Sequence, residues 1–324
     1  MNNAPVMLRP AAKDYLWGGS RLNEHFNKRI NLSPLAETWE CSTHPDGQSI
    51  VVNTGEKLGD FLRRHPDYLG THAATIAGGS LPILIKLIDA QQNLSVQVHP
   101  DDEYAQKNEN SLGKTEMWYV VEADEGSELI YGFNQDMDKS RVLKALKDGT
   151  ILKYLNHVSI HKNDVFYIEA GTVHAIGAGS LIAEIQESSN ITYRLYDYNR
   201  LGKDGRKREL HVDKALDVTN FHSSLTPRQP MRVLKYKKGV AYELLSRCKY
   251  FQVERILLSS EESNMVQYST GSNSFHSLLC IDGCGLISWS NDVMKFRKGD
   301  CIFVPANSVI LRLIGHAQVL DISC

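Results

Sequence analysis

Two stretches of this chain echo one another. Asn163-Asp-Val-Phe-Tyr-Ile-Glu-Ala-Gly-Thr-Val-His174 lies over Gly299-Asp-Cys-Ile-Phe-Val-Pro-Ala-Asn-Ser-Val-Ile310, with Asp164 on Asp300, Ala170 on Ala306 and the hydrophobic alternation in phase. Upstream, Glu116-Met-Trp-Tyr-Val-Val-Glu122 can be laid on His276-Ser-Leu-Leu-Cys-Ile-Asp282. Period-two alternation sends successive side chains to opposite faces of a strand. Two copies of one β unit imply two stacked β-barrels. The copies are unequal: His174 falls on Ile310, and no Gln-x-His pair precedes the second copy. One unit keeps reactive side chains and the other is structural.

The rest of the chain fits a mainly β protein. Short alternating runs punctuated by Gly, Asn and Asp predict strands at Ser49 to Asn53, Ile83 to Asp89, Leu94 to His99, Glu116 to Glu122, Glu128 to Gly132, Asp164 to Ala170 and Leu181 to Gln186. Two segments break the pattern. Glu56 to Leu69 sets Leu58, Phe61 and Leu62 at helical spacing, with Thr54 as N-cap. Asp138 to Gly149 reads as a helix capped by Asp138, with Val142, Leu143, Ala145 and Leu146 as its apolar stripe and Gly149 at the left-handed C-terminal position. Leu225-Thr-Pro-Arg-Gln-Pro230 reads as a linker. The expected division is therefore 1–225, a unit carrying a site and a short helical insertion near 138–149, and 226–324, a β unit without ligands.

With 324 residues, two domains and a sizeable core are possible. A net charge of -2, with acids and bases interspersed, gives no electrostatic case for nucleic acid or an anionic membrane as partner. No apolar run approaches the roughly 18 residues needed to span a bilayer, since Leu81 to Ile88 is cut by Pro82 and Lys86. The N-terminus lacks the charged-then-apolar pattern of a signal peptide. The six cysteines form no Cys-x-x-Cys pair and are expected to be reduced thiols in a cytoplasmic protein.

Four residues concentrate chemical potential. In Leu94-Ser-Val-Gln-Val-His-Pro-Asp-Asp102, Gln97 and His99 share one strand face. Glu116 stands in Gly113-Lys-Thr-Glu-Met-Trp-Tyr119, and His174 in Gly171-Thr-Val-His-Ala-Ile176. Two imidazoles, a carboxylate and an amide oxygen suit a divalent ion such as zinc, provided they converge.

These blocks, with Trp17-Gly-Gly, Glu37-Thr-Trp-Glu-Cys-Ser-Thr-His-Pro-Asp-Gly47, Pro82-Ile-Leu-Ile-Lys-Leu-Ile-Asp-Ala90 and Glu184-Ile-Gln-Glu-Ser-Ser-Asn-Ile-Thr-Tyr-Arg-Leu-Tyr-Asp197, make the chain resemble the type I mannose-6-phosphate isomerases in their short bacterial form. The likeness runs from about residue 10 to about residue 220 and fits the last quarter less specifically. The resemblance implies cupin-type jelly-roll barrels and one Zn2+ per chain. It carries the metal ligands onto His99, Glu116 and His174, with Gln97 or a water as the fourth. It also implies a small phosphorylated sugar as substrate, interconversion of mannose 6-phosphate and fructose 6-phosphate through an enediol, and Arg194 as a catalytic residue. Long family members carry an extra helical domain, whereas this chain has only the one short helix between Trp118 and His174.

Beside the resemblance, chemistry suggests further roles. The guanidinium of Arg194 stays charged and would hold phosphate or an enediolate oxygen. Lys114 lies two residues before Glu116, on the same strand face, where it is a catalytic candidate that would contact sugar or phosphate oxygens or shift toward neutrality beside the ion. Glu184, a lone charge in Leu181-Ile-Ala-Glu-Ile-Gln186, is a candidate for proton transfer or for an ion pair, with Arg194 as its expected partner. A metal-bound water is a competing base. Trp17 would stack on a sugar or fill the core, and the basic run Gly202 to Arg208 would form a solvated turn or reach phosphate. Two rival readings use the same residues: a non-haem iron oxygenase, since two His and a carboxylate also suit Fe(II), and a sugar-binding or regulatory β-barrel without catalysis.

Overall fold

A computed structural model describes residues 3–202, 205–224 and 232–324. The expected linker at Leu225 to Pro230 lies outside the described residues. Among them the chain is mainly β with a few short helices, and its strands fall into three sheets.

The strands Ile83–Ala90 and Ser180–Glu187 show why the sheets stack. Both are buried along their whole length and pair antiparallel over eight residues. Alternate side chains serve two cores. Ile83, Ile85, Leu87, Leu181, Ala183 and Ile185 enter one apolar cluster, while Ile88 and Ile182 enter another on the opposite face. A strand covered on both faces reads as a continuous apolar run. The charges that interrupt it, Lys86 and Glu184, face the second cluster and the site.

These two strands form the centre of a six-stranded sheet in the order Val165–Ile168, Glu116–Ala123, Ser180–Glu187, Ile83–Ala90, Glu37–Cys41, Ala11–Lys13. A five-stranded sheet faces it, in the order Leu155–Ser159, Glu128–Phe133, His174–Ile176, Val96–Val98, Tyr193–Tyr196. The outer face of the five-stranded sheet is covered by the helices Lys139–Lys147 and Val212–Val218, which contribute Val142, Ala145, Ala215 and Leu216 to a third cluster. Behind the six-stranded sheet lies an 11-stranded one, whose Val253, Leu279, Phe303 and Ile322 pack against Ile85, Leu87, Ala183 and Ile185. Leu278, Ile302 and Val319 on its far face belong to a fourth cluster. None of these sheets closes on itself through backbone hydrogen bonds among the described residues. The expected barrels are instead open sheets held face to face by interior side chains, as in sandwich folds.

The repeat is visible in the pairing register. Val165 stands opposite Tyr119 and Ile168 opposite Glu116. In the second copy Cys301 stands opposite Leu279 and Val304 opposite His276, at the positions the sequence alignment assigns. One exchange crosses the expected division: the N-terminal strand Val6–Arg9 pairs with Cys301–Val304, so it completes a sheet built mostly from residues beyond 226.

The helices are partly as expected. Asp138 caps Lys139–Lys147, accepting from the Arg141 amide at 2.9 Å, and Gly149 follows at φ +66°. Val142 and Ala145 are buried, but Leu143 is exposed. The helix expected over Glu56 to Leu69 is shorter. Glu56–Lys57 is a strand, the helix is Leu58–Arg64, and Pro66–Leu69 is a 3-10 turn. Its N-cap is Lys57 rather than Thr54, because Glu56 and Lys57 pair with Ile50 and Val51. The sequence reading missed the helix Asp102–Glu109, which Asp101 caps through the Tyr104 amide at 2.9 Å.

Candidate metal centre and adjoining cavity

The strand Val96–Val98 lies between His174–Ile176 and Tyr193–Tyr196. Its register sets His174 opposite Gln97 on one side and Arg194 opposite Gln97 on the other. Three polar residues therefore form a row across three strands on the inner face, while Val96 and Val98 enter the core beneath the helices. His99 follows two residues after Gln97, just beyond the strand end. From the facing sheet comes Glu116, opposite Gln186. Trp118, two residues on, stands opposite Glu184, which in turn stands opposite Lys86.

His99, Glu116 and His174 converge and are fully buried, and each offers an atom within 4.8 Å of the others. His99 Nε2 lies 3.1 Å from His174 Nε2, 3.7 Å from Glu116 Oε2 and 3.1 Å from Lys114 Nζ. His174 Nε2 is 3.5 Å from Glu116 Oε1. Ligands on a tetrahedral zinc-type ion at about 2.0–2.1 Å stand roughly 3.3 Å apart, so these spacings are those of a coordination edge. Tautomers agree with that use. His99 Nδ1 lies 2.8 Å from the Ile191 carbonyl and His174 Nδ1 lies 2.8 Å from the Thr172 carbonyl. Each Nδ1–H then donates outward, leaving both Nε2 lone pairs directed at one point. Two acceptors 3.1 Å apart in a buried site repel unless a cation lies between them. Neither oxygen of Glu116 accepts a directed hydrogen bond, and Lys114 Nζ stands 3.0 Å from Oε2 as an ion pair. The residues thus fit a divalent ion. Gln97 reaches the same point, its amide 3.4 Å from His174 Nε2.

Burial dominates the electrostatics. It pushes His99 well below its usual value, aided by Lys114, and His174 down to about 4, so both imidazoles are neutral and able to coordinate. Burial and the charge of Glu184 raise Glu116 to about 7, and a bound cation would reverse that cost. Burial also raises Glu184, but Lys86, Lys114 and the hydrogen bonds from Lys86 and Trp118 outweigh it and bring it to about 2.

A cavity opens beside these ligands. Gln97, Lys114, Lys86, Glu184, Arg194 and Arg208 line it, with Tyr15 and Trp17 at one side. Arg194 Nη1 donates to the Glu209 carbonyl at 3.0 Å, and its Nε is buried without a hydrogen-bond partner. Glu184 does not pair with Arg194, as the sequence reading expected. It accepts from Lys86 Nζ at 2.9 Å and from Trp118 Nε1 at 3.1 Å, because strand register brings Lys86 directly opposite. Trp17 is buried in a core cluster and also faces the cavity. Of the basic run, whose residues 203 and 204 lie outside the described residues, Arg208 reaches the cavity and the Gly202 amide donates to the Arg206 carbonyl at 2.7 Å. Sequence reasoning missed Lys86, Glu37 and Tyr15 as cavity residues. The signal for Lys86 was available: it is a lone charge in an apolar strand, as Glu184 is in its own.

In the second copy of the repeat, His276 takes the place of Glu116 and its Nδ1 is 2.6 Å from Asp321 Oδ1. Ile310, the counterpart of His174, is exposed. Among the described residues the three-residue ligand group is confined to the first copy.

Comparison with known proteins bears on this site. The family model "Phosphomannose isomerase type I, catalytic domain" matches residues 6–131. The chain is 35% identical over 327 aligned residues to the mannose-6-phosphate isomerase ManA of Bacillus subtilis, covering 99% of each chain. It is 34% identical to the mannose-6-phosphate isomerase of Streptococcus mutans, over 98% of this chain and 97% of that one. The crystal structure of a mannose 6-phosphate isomerase from Bacillus subtilis superposes with a TM-score of 0.90 at 30% identity, covering 98% of this chain and 99% of that one. Paired over nearly its full length with proteins of one kind, the chain belongs to the type I phosphomannose isomerase family.

Proposed function

We propose that this chain is a zinc-dependent aldose–ketose isomerase that interconverts mannose 6-phosphate and fructose 6-phosphate through an enediol. The convergence of His99, Glu116 and His174 on one point, beside a cavity lined by Lys114, Lys86, Arg194 and Arg208, carries the reading. His99, Glu116 and His174 would hold the Zn2+, with Gln97 or water as the fourth ligand. When bound, the ion would polarise the sugar carbonyl and lower the energy of the developing oxyanion.

The remaining work falls to side chains. Two arginines and two lysines around one small cavity suit a dianionic sugar phosphate. Arg194, part-buried and with an unpaired Nε, would hold phosphate or an enediolate oxygen. Lys114, within 3.0 Å of Glu116 Oε2, would exchange protons with the substrate at C1, C2 and their oxygens. Glu184 is proposed as a positioning residue acting through Lys86: paired at 2.9 Å and lowered to about 2, it is a poor base near neutral pH and instead fixes the cationic wall. Tyr15 and Trp17 would flank the sugar.

In this reading residues 1–225 form the catalytic cupin-type jelly-roll unit and residues 226–324 a cupin-like unit without metal ligands. The enzyme is cytoplasmic, with its six thiols reduced. The four cations lining the cavity favour a phosphorylated substrate over that of an iron oxygenase or a neutral-sugar binder. The test follows fructose 6-phosphate and mannose 6-phosphate by NMR in deuterated water, with oxygen consumption recorded in parallel. Interconversion with deuterium entering C1 or C2 is expected. Oxygen-dependent turnover, or sugar binding without interconversion, would refute the assignment.

A further inference from the structure

The short segment Gly113–Thr115 presents Lys114 to the ligand point, and its backbone is held at three places. The Lys114 amide donates to the Pro100 carbonyl at 3.0 Å. The Thr115 amide donates to Glu187 Oε1 at 2.7 Å, and the Gly113 amide donates to Asp102 Oδ1 at 3.1 Å. Gly113 permits that approach, since a Cβ there would meet the Asp101 carbonyl carbon and the Asp102 nitrogen at 2.6 Å. Glu187 and Asp102 thus hold the segment from its two ends. The other Asp102 oxygen accepts from the Tyr250 hydroxyl at 2.7 Å and lies 3.2 Å from Lys249 Nζ.

We infer that Glu187 and Asp102 form a two-jawed carboxyl clamp which, anchored by Tyr250 from the C-terminal β unit, positions Lys114 for catalysis. The inference deepens the isomerase reading and rests on it for the role of Lys114. Glu187 is buried and Asp102 is partly open. Asp102 accepts from the Tyr250 hydroxyl and the Gly113 amide with Lys249 beside it, whereas Glu187 accepts from the Thr115 amide. Burial pushes Glu187 up to about 8. Thr115, just before the strand Glu116–Ala123, is tied to the last residue of Ser180–Glu187, and Gly113, just before Lys114, to the first residue of the helix Asp102–Glu109. Tyr250 gives the unit without metal ligands a direct bearing on the site: it fixes one jaw of the clamp that aims Lys114.

Glu187 and Tyr250 are positioning residues, and their variants separate aim from stability. In Glu187→Gln the amide oxygen still accepts from the Thr115 amide. In Glu187→Ala that contact is lost. Turnover of Glu187→Ala is expected to fall on the order of 10- to 100-fold, as small misplacements of a reacting group do, with KM within about twofold and metal content unchanged. Glu187→Gln is expected to return to within about threefold of wild type, and Tyr250→Phe to lose about threefold, the usual scale of one hydrogen bond. Crystal structures of the metal-loaded Glu187→Ala and wild-type proteins read the same question without activity: the Gly113–Thr115 segment is expected to move by about an ångström. An unmoved segment, an unchanged kcat in Glu187→Ala, or a Glu187→Gln protein as slow as Glu187→Ala would overturn the inference. A wild type that fails to convert the sugar phosphates would defeat the isomerase reading alone, since the segment's position is still read in the crystal.

Discussion

Lys86 and Glu184 face each other across neighbouring strands, Nζ 2.9 Å from Oε1, with side chains 5% and 4% exposed. A buried pair is costly to form and more costly to break from one side, about 3–5 kcal/mol. Glu184→Gln is therefore expected to lose about 3 kcal/mol of stability at pH 7, measured as a lower urea midpoint. The pH dependence has a fixed sign. Glu184 is depressed from 4.5 to about 2 in the folded protein, so its contribution is present above pH 4.5 and lost as pH falls toward 2. The stability gap between wild type and Glu184→Gln should close across that window. A gap that stays constant down to pH 2 would show that the pair is not ionised.

Arg194 stands opposite Gln97 and lines the cavity, outside the group of His99, Glu116 and His174 that could hold an ion. Arg194→Ala should keep its metal and lose about 100- to 1000-fold in kcat, the scale seen when one preorganised donor is removed. Arg194→Lys should recover little, because a point charge does not reproduce the guanidinium fork. Metal analysis beside steady-state kinetics checks both.

Gln97 is the weakest of the proposed ligands. Its amide nitrogen, not its oxygen, is placed nearest His174, at 3.4 Å, and its oxygen accepts from Ser95 at 3.3 Å. Gln97→Ala should bind zinc about 10- to 100-fold more weakly yet regain activity at excess zinc, whereas His99→Ala should not. Competition with a chromogenic chelator measures the difference.

The Asp138 cap is a control on stability without chemistry. Its carboxylate accepts from the Arg141 amide and the Ser140 hydroxyl, at 2.9 and 2.6 Å. Asp138→Ala should cost about 1 kcal/mol and leave kcat unchanged, read from thermal unfolding and the isomerase assay.

Much of this was legible in the sequence because β structure writes its faces in alternate residues. Gln97 and His99, and Lys114, Glu116 and Trp118, share faces by parity alone, and the repeat placed Glu116 and His174 in one unit. Pairing between distant strands leaves no such mark. That Glu184 meets Lys86 rather than Arg194 follows from a register set over 98 positions of sequence separation. The helix Asp102–Glu109 was missed because only Ala105 is buried in it, so it has no apolar stripe to read. The barrel expectation assumed closure, which alternation cannot reveal. A side chain that reaches the cavity from a loop, such as Tyr15, has no periodicity to announce it.

The central claim is that His99, Glu116 and His174 hold the metal on which isomerisation depends. Stripping the protein with a chelator and titrating zinc back, while following mannose 6-phosphate conversion and bound metal together, tests it most directly. Activity should return in proportion to zinc and saturate at one ion per chain, and His99→Ala should neither bind zinc nor recover. A metal-free protein that turns over at the wild-type rate, or a His99→Ala protein that is active, would contradict the account.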